Sequence, residues 1–338
     1  MRASFVVFLL LIAFGAAADD AASTEDGTQG SLTHGITLAR VVLERGDVVL
    51  QTAFNGGGFI DGTPPPERLA FYDDFGTEKK LAFPELTAVR GIFAPEPERV
   101  LVTTSSRAVY VVRDGVRAEA IRGLSLQSPG EIVPMRSGDL LIAESFTSHT
   151  KPRIVQIDAS GRIVRDRTLT DVPAEGMHDY YGVGHMELLA DQCTVVWNSA
   201  DFGLVRLRAQ SLRVRRYDIC TGTTLPDLLT LPFDSEPGSL RQLPGGDLLI
   251  ATGNDVRRYD LGGTLRATYP VPATFVALTP DASGFRAANR YYVYHVDFAA
   301  PQLIAAQFPI EARLGLGIAV VGEWRSALQF PKRRAGRK

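Results

Sequence analysis

Three polar residues occupy matched places in repeating segments: Glu131, His185 and Ser239 stand 54 residues apart in turn. A carboxylate, an imidazole and a hydroxyl that recur at one spacing will meet if the repeats are arranged around an axis. Such a trio can bind a small polar ligand or hold a cation, or in a wide channel it can simply contact water. A second group lies close together in the chain, in the segment 171–184, which carries Glu175, His178, Asp179, Tyr180 and Tyr181. Histidine titrates near neutral pH and is a common metal ligand, so His178 and Asp179 are candidates for acid and base work together with His185 and Glu131. Tyr180 and Tyr181 join Glu131, His185 and Ser239 as candidate ligand-binding residues. Polar residues also collect in surface loops without any chemical role, and no complete catalytic motif accompanies these.

The elements that must position them follow from internal similarity. Residues 129–143 lie over 237–251 at an offset of 108, and 184–197 repeats the same apolar pattern halfway between. Each unit reads as four strands. The first has mixed polarity; a Gly/Asp turn follows, and the chain returns as a continuous apolar run such as Leu140-Leu141-Ile142-Ala143, which suits a strand buried on both faces. A variable loop leads to a hairpin of alternating side chains around an Asp/Gly turn, as in 153–164 and 256–266. Six such hairpins, with roughly 50 residues per unit, match the blade size of a β-propeller. In the fourth unit the hairpin is read from 204–207 and 212–214.

The expectation is therefore an all-β, six-bladed propeller of four-stranded blades over residues 36–323. A lone blade cannot hide both apolar faces, whereas a closed ring gives every blade two neighbours. The strand at 317–323 either packs on the first blade to close the ring or opens a seventh blade. Propeller geometry puts the first strand of each blade along the central channel. The loops joining second to third strands, and one blade to the next, crowd one face, where ligands are expected.

The Pro-Gly-x-hydrophobic strand, the Gly-Asp-Leu-Leu-Ile-Ala strand and the Arg-Ile-Val-x-Ile-Asp-x-x-Gly hairpin resemble bacterial secreted propellers of the NHL, YVTN and SMP-30-like group. These motifs are structural, so the resemblance speaks to fold. SMP-30-like enzymes hold a divalent metal with a Glu and Asn/Asp residues from separate blades. The resemblance implies Glu131, Asn198 and Asn254 as stand-ins for that set, although the surrounding family motifs are absent. Virginiamycin-lyase-like activity would use a His and Glu pair at the channel mouth, which His185 and Glu131 loosely suggest.

Composition narrows the classes further. Arg2, the apolar run 5–14 and Gly15-Ala16-Ala17-Ala18 read as a secretory signal peptide over 1–18, too short to span a membrane. A flexible segment over 19–35 and a basic tail over 324–338 flank the propeller. The formal charge of −2 becomes −3 without Arg2, so no attraction to nucleic acid is expected. Cys193 and Cys220 belong to no CxxC, and two strands apart in one blade they are expected to be free thiols. The function expected is an exported, monomeric, non-catalytic module, secreted or periplasmic, that binds a small molecule or protein at the loop face. The alternative is a lactonase- or lyase-type hydrolase using the polar cluster at the channel mouth, with or without a divalent cation.

Overall fold

A computed structural model describes residues 42–54, 68–79, 86, 89–104, 108–113, 117–121, 124, 126, 129–144, 152–169, 185–202, 209–231, 238–300, 304–310 and 313–325. The first blade contains β1 (Val48–Phe54), β2 (Arg68–Tyr72) and β3 (Glu78–Lys79). The second is β4 (Val89–Glu96), β5 (Arg99–Thr104), β6 (Val109–Arg113) and β7 (Arg117–Ala120). The third is β8 (Pro129–Pro134), β9 (Leu140–Glu144), β10 (Arg153–Ile157) and β11 (Ile163–Thr168). The fourth is β12 (Met186–Leu188), β13 (Thr194–Phe202), β14 (Ala209–Asp218) and β15 (Thr223–Leu231). The fifth is β16 (Leu240–Gln242), β17 (Leu248–Ala251), β18 (Val256–Tyr259) and β19 (Leu265–Tyr269). The sixth is β20 (Phe275–Leu278), β21 (Gly284–Ala288), β22 (Tyr292–Asp297) and β23 (Ile304–Pro309).

The last strand, β24 (Arg313–Val320), completes the first blade from inside, giving the sheet order β24-β1-β2-β3. It pairs antiparallel with β1 from Val48↔Val320 to Phe54↔Arg313. This is the ring-closing role expected of the C-terminal strand, and it makes the propeller six-bladed with four antiparallel strands per blade. The innermost strands touch in a circle running β24, β4, β8, β12, β16, β20 and back to β24.

The hydrophobic core is divided among the seams between blades. Phe71, Val89 and Val102 pack in the seam between the first two blades, Trp197, Leu141 and Met186 between the third and fourth, and Phe285, Val276 and Leu249 between the fifth and sixth. Runs such as Leu140 to Ala143 are apolar throughout because each face of such a strand meets a different neighbouring blade. Seams also need close backbone approach. A Cβ on Gly91 of β4 would lie 2.2 Å from the Gly130 carbonyl oxygen of β8, so glycine alone fits there.

The hairpin turns explain the repeat signature. Asp158 Oδ1 accepts from Ser160 N and Arg162 N, and Asp260 Oδ1 accepts from Gly262 N and Thr264 N. Gly161 and Gly263 then take φ of 83° and 84°, which only glycine adopts without strain. In the turn after the first strand, Gly138 and Gly246 have the same left-handed backbone, but Gln192 and Ala282 occupy it in the fourth and sixth blades. The repeat fades in the sequence at those two turns.

The cysteines correct one expectation. Cys193 and Cys220 form a disulfide with Cα atoms 5.3 Å apart. The stretch 209–218, part of which the sequence suggested was a fourth strand, is the third strand, and β15 is the fourth. β13 and β14 are neighbours over nearly their whole length, from Thr194↔Asp218 to Phe202↔Ala209. The two cysteines thus flank the same end of adjacent strands, where Ile219 N donates to the Cys193 carbonyl at 2.9 Å.

Candidate functional site

Each blade presents one residue on its inner strand or just before it, and together these line a cup at the channel mouth. The cup is bounded by Gly317, Gly91, Glu131, His185, Ser239 and Phe275 in blade order, with Gln51, Arg90 and Arg241 between them. Most of its 270 Å³ is open solvent, and the enclosed part has room for about one water molecule. The matched residues Glu131, His185 and Ser239 therefore do meet. His185 Nδ1 lies 3.3 Å from Glu131 Oε2, and the imidazole packs edge-on against Phe275 with ring centroids 5.3 Å apart.

Ser239 is committed elsewhere. Its Oγ accepts from Val276 N at 2.7 Å and donates to the Val276 carbonyl at 3.4 Å, stitching the fifth blade to the sixth. Such a hydroxyl is held by backbone, and among the described residues its hydrogen bonds do not run to a base that would make it a nucleophile. Neighbouring seams use the same device. Gln51 Nε2 donates to the Val89 carbonyl at 2.5 Å, and Thr103 Oγ1 donates to the Gly130 carbonyl at 2.6 Å.

Below the cup the channel is filled by ions. Arg241 Nη2 donates to Glu131 Oε1 at 3.0 Å, its Nε lies 3.3 Å from Glu323 Oε1, and its Nη1 lies 3.9 Å from Glu187 Oε2. Arg325 completes the network, donating from Nη1 to Glu187 Oε2 at 2.9 Å and from Nη2 to Glu323 Oε2 at 3.0 Å. Glu323 Oε1 also accepts from Leu278 N at 2.9 Å, which ties the segment after β24 to the far end of β20. All five side chains are buried. Three carboxylates face two guanidiniums, so the cluster carries one formal negative charge more than it balances.

The electrostatics follow from that imbalance. Burial opposes the Glu131 charge, but Arg241, His185 and Arg325 together hold its pKa below the usual carboxylate value. Glu187 is pushed up to about 7, by burial first and by the Glu323 and Glu131 charges, against the pull of Arg325 and Arg241. Arg325 is held above its ordinary value: burial works against its charge, and Glu187, Glu323 and Glu131 outweigh it. A Glu131 carboxylate pinned in the ionised form is poorly suited to act as a general acid.

The remaining candidates are scattered. His178, Asp179, Tyr180 and Tyr181 lie outside the described residues. Asn198 is buried in the seam between the fourth and fifth blades, where its Nδ2 donates to the Gly238 carbonyl, and Asn254 is exposed in the turn between β17 and β18. Neither asparagine lines the cup. The metal set implied by the SMP-30 resemblance is thus spread over cup, seam and turn, and both Glu131 oxygens already face side-chain partners, His185 and Arg241. Among the described residues the one cluster with metal-ligating geometry is Cys193, Asp218 and Cys220, whose two sulfurs are bonded to each other.

Sequence reasoning missed Glu187, Arg241, Glu323 and Arg325. Glu187 and Arg241 stand at matched positions two residues beyond His185 and Ser239, so the repeat alignment contained them as charges within apolar inner strands. Arg325 fell within the stretch read as a basic tail, and nothing in its local sequence marks it as buried.

No family model matches the chain, and no curated protein matches it in sequence. Solved structures do resemble it. A chain in the crystal structure of a nidogen/laminin complex matches with TM-score 0.57 at 13% identity, over 82% of this chain and 98% of that one. A protein of unknown function from Bacteroides caccae matches with TM-score 0.53 at 13% identity, over the same shares. At such identity the likeness concerns the fold.

Proposed function

We propose that this propeller is an exported binding module whose channel-mouth cup receives a small polar group, carried either by a free molecule or by a partner protein. The observation that carries this reading is how the polar chemistry is distributed. Five buried ionisable side chains engage one another in and beneath the cup, Ser239 is tied to backbone, and His185, 26% exposed, is the polar member of the matched trio with substantial access to solvent. A preorganised, internally paired floor under one accessible imidazole suits recognition, which needs fixed geometry. The propeller that resembles this one in a nidogen/laminin complex supports a protein as the bearer of the group, by analogy of fold. Export is supported by the charged, apolar and small-residue order of 1–18 and by the Cys193–Cys220 bridge, which suits an oxidising compartment. Among the described residues, no helix is long and apolar enough to cross a membrane.

A thermal-shift screen of acids, amines, polyols and lactones tests the reading on the purified mature protein, with His185→Ala and Phe275→Ser alongside. Stabilising hits that vanish in both variants support it. Hits indifferent to both variants, or no hits at all, count against it. Lactone turnover lost in His185→Ala would replace it with the hydrolase.

A further inference from the structure

We propose that the seam between the sixth and first blades is a pH-sensitive clasp, which loosens when His295 takes up a proton beside the buried guanidinium of Arg286. The clasp is independent of what the cup receives.

It begins with one row of side chains across the sixth blade. Arg286 of β21 stands opposite Ala277 of β20 on one side and His295 of β22 on the other, and His295 stands opposite Ala306 of β23. Residues paired in this way point to the same face of the sheet, with Cβ atoms about 4.5–5.5 Å apart. That face is turned to the first blade, because Ala277, Ala288 and Val293 pack there against Val48, Leu50 and Tyr72. Arg286 is 1% exposed and His295 is half-buried. The alanines at either end of the row offer neither of them a counter-charge.

The counter-charge comes from the neighbouring blade. Arg286 Nη2 donates to the Asp74 carbonyl at 3.1 Å and to Asp74 Oδ1, in the turn between β2 and β3. This turn lies close against the sixth blade, since a Cβ on Gly76 would come within 2.4 Å of the Phe308 ring. Among the described residues Arg286 Nη1 makes no hydrogen bond, so the hold on the guanidinium runs through Nη2.

A proton on His295 sets a second cation against that hold. The charged groups around the imidazole are Arg286 on β21, Asp74 in the turn of the first blade, Asp297 at the end of β22 and Asp281 in the turn between β20 and β21. Burial first, and then Arg286, keep the His295 pKa below its ordinary 6.5, against the pull of the three acids. The folded chain therefore binds this proton less tightly than the unfolded chain does. The contribution of neutral His295 is complete above pH 6.5 and is lost as the pH falls through the lower folded value. Two like charges repel less when water enters between them, so the repulsion is relieved by drawing the turn of the first blade away from the sixth.

Two measurements on the full mature protein test the clasp. NMR of the protein labelled at its histidines gives the half-point of the His295 ring. Pulsed electron resonance between spin labels on Phe75→Cys and Ala299→Cys gives the distance between the β2–β3 turn and the β22–β23 turn. Both positions are exposed, and the native cysteines are bonded to each other, so the labels go to the new thiols alone. The expected half-point lies below 6.5. About one pH unit above it the labels should show a single distance, and about one unit below it a longer population should grow severalfold. His295→Gln should hold the single distance at both pH values. Asp74→Asn, at a side chain 57% exposed, should show the longer population already at the higher pH.

A half-point at or above 6.5 overturns the repulsion on which the clasp depends. A distance that stays the same across a lower half-point overturns the loosening. A longer population that persists in His295→Gln assigns the pH response to another group and overturns the clasp as well. Asp74→Asn distances identical to those of the parent protein overturn the ion pair as the hold on the seam.

Discussion

Arg325 reaches Glu187 across 138 residues of sequence, donating from Nη1 to Oε2 at 2.9 Å inside the channel. The contact joins the segment following the last strand to the inner strand of the fourth blade. Since Arg325 also bonds Glu323, its loss would leave two buried carboxylates facing Arg241 alone.

Arg325→Ala is accordingly expected to destabilise the fold by about 3–5 kcal/mol, the usual result of removing one side of a buried ion pair. Chemical denaturation measures it. Adding Glu187→Gln to the variant should recover part of the loss, and strictly additive effects of the two changes would show that the pair is not coupled.

Glu187 also gives the protein a pH signature. Its pKa is pushed up to about 7 in the folded chain, against an ordinary value of 4.5, so the folded state holds this proton more tightly than the unfolded state does. Its contribution is complete below about pH 4.5 and is lost as the pH rises through 7, to a total of at most about 3 kcal/mol. Glu131, held below its ordinary value, acts in the opposite sense: its contribution is present above 4.5 and is lost as the pH falls through its lower folded value. Urea denaturation at a series of pH values should show wild type losing stability between pH 5 and pH 8 relative to Glu187→Gln. A parallel course for the two proteins would rule the linkage out.

The disulfide closes a separation of 27 residues. Cross-linking a loop of that length stabilises by about 3–4 kcal/mol in the chain-entropy account. Intact mass under non-reducing conditions should lack two hydrogen atoms relative to the reduced chain, and the Cys193→Ser, Cys220→Ser double variant should unfold at lower denaturant. Two titratable thiols in the native protein would contradict the strand register of the fourth blade.

Glycine at position 91 is a steric requirement. Gly91→Ala puts a methyl group against the Gly130 carbonyl and is expected to cost about 1–3 kcal/mol through separation of the second and third blades. Gly245→Ala, where an added Cβ meets nothing within 4 Å, should change stability by less than about 0.5 kcal/mol. Melting curves of the two variants make the comparison.

The architecture was readable because a propeller writes its geometry into a period. Glu131, His185 and Ser239 share a strand position, so equal spacing along the chain became adjacency around an axis. The Asp158 and Asp260 turns were legible for a similar reason: each depends on one side chain and one glycine within five residues. The disulfide was hidden because its register depends on how long β13 and β14 run, and that length comes from pairing across the blade. The Arg325 contact was hidden because burial of a charge is decided by what faces it, and its partners lie on other elements and, for Glu187, in another blade.

Pairing of β24 with β1 ties the start of the propeller to its end. On the ribosome, β1 to β3 emerge first but can gain their inner neighbour only when β24, more than 240 residues later in the sequence, has left the exit tunnel. Until then β1 offers an open edge, the kind of surface that recruits other chains. Completion of the ring therefore waits for its last strand, and a chain cut short before β24 is expected to aggregate even though five of its six blades are whole.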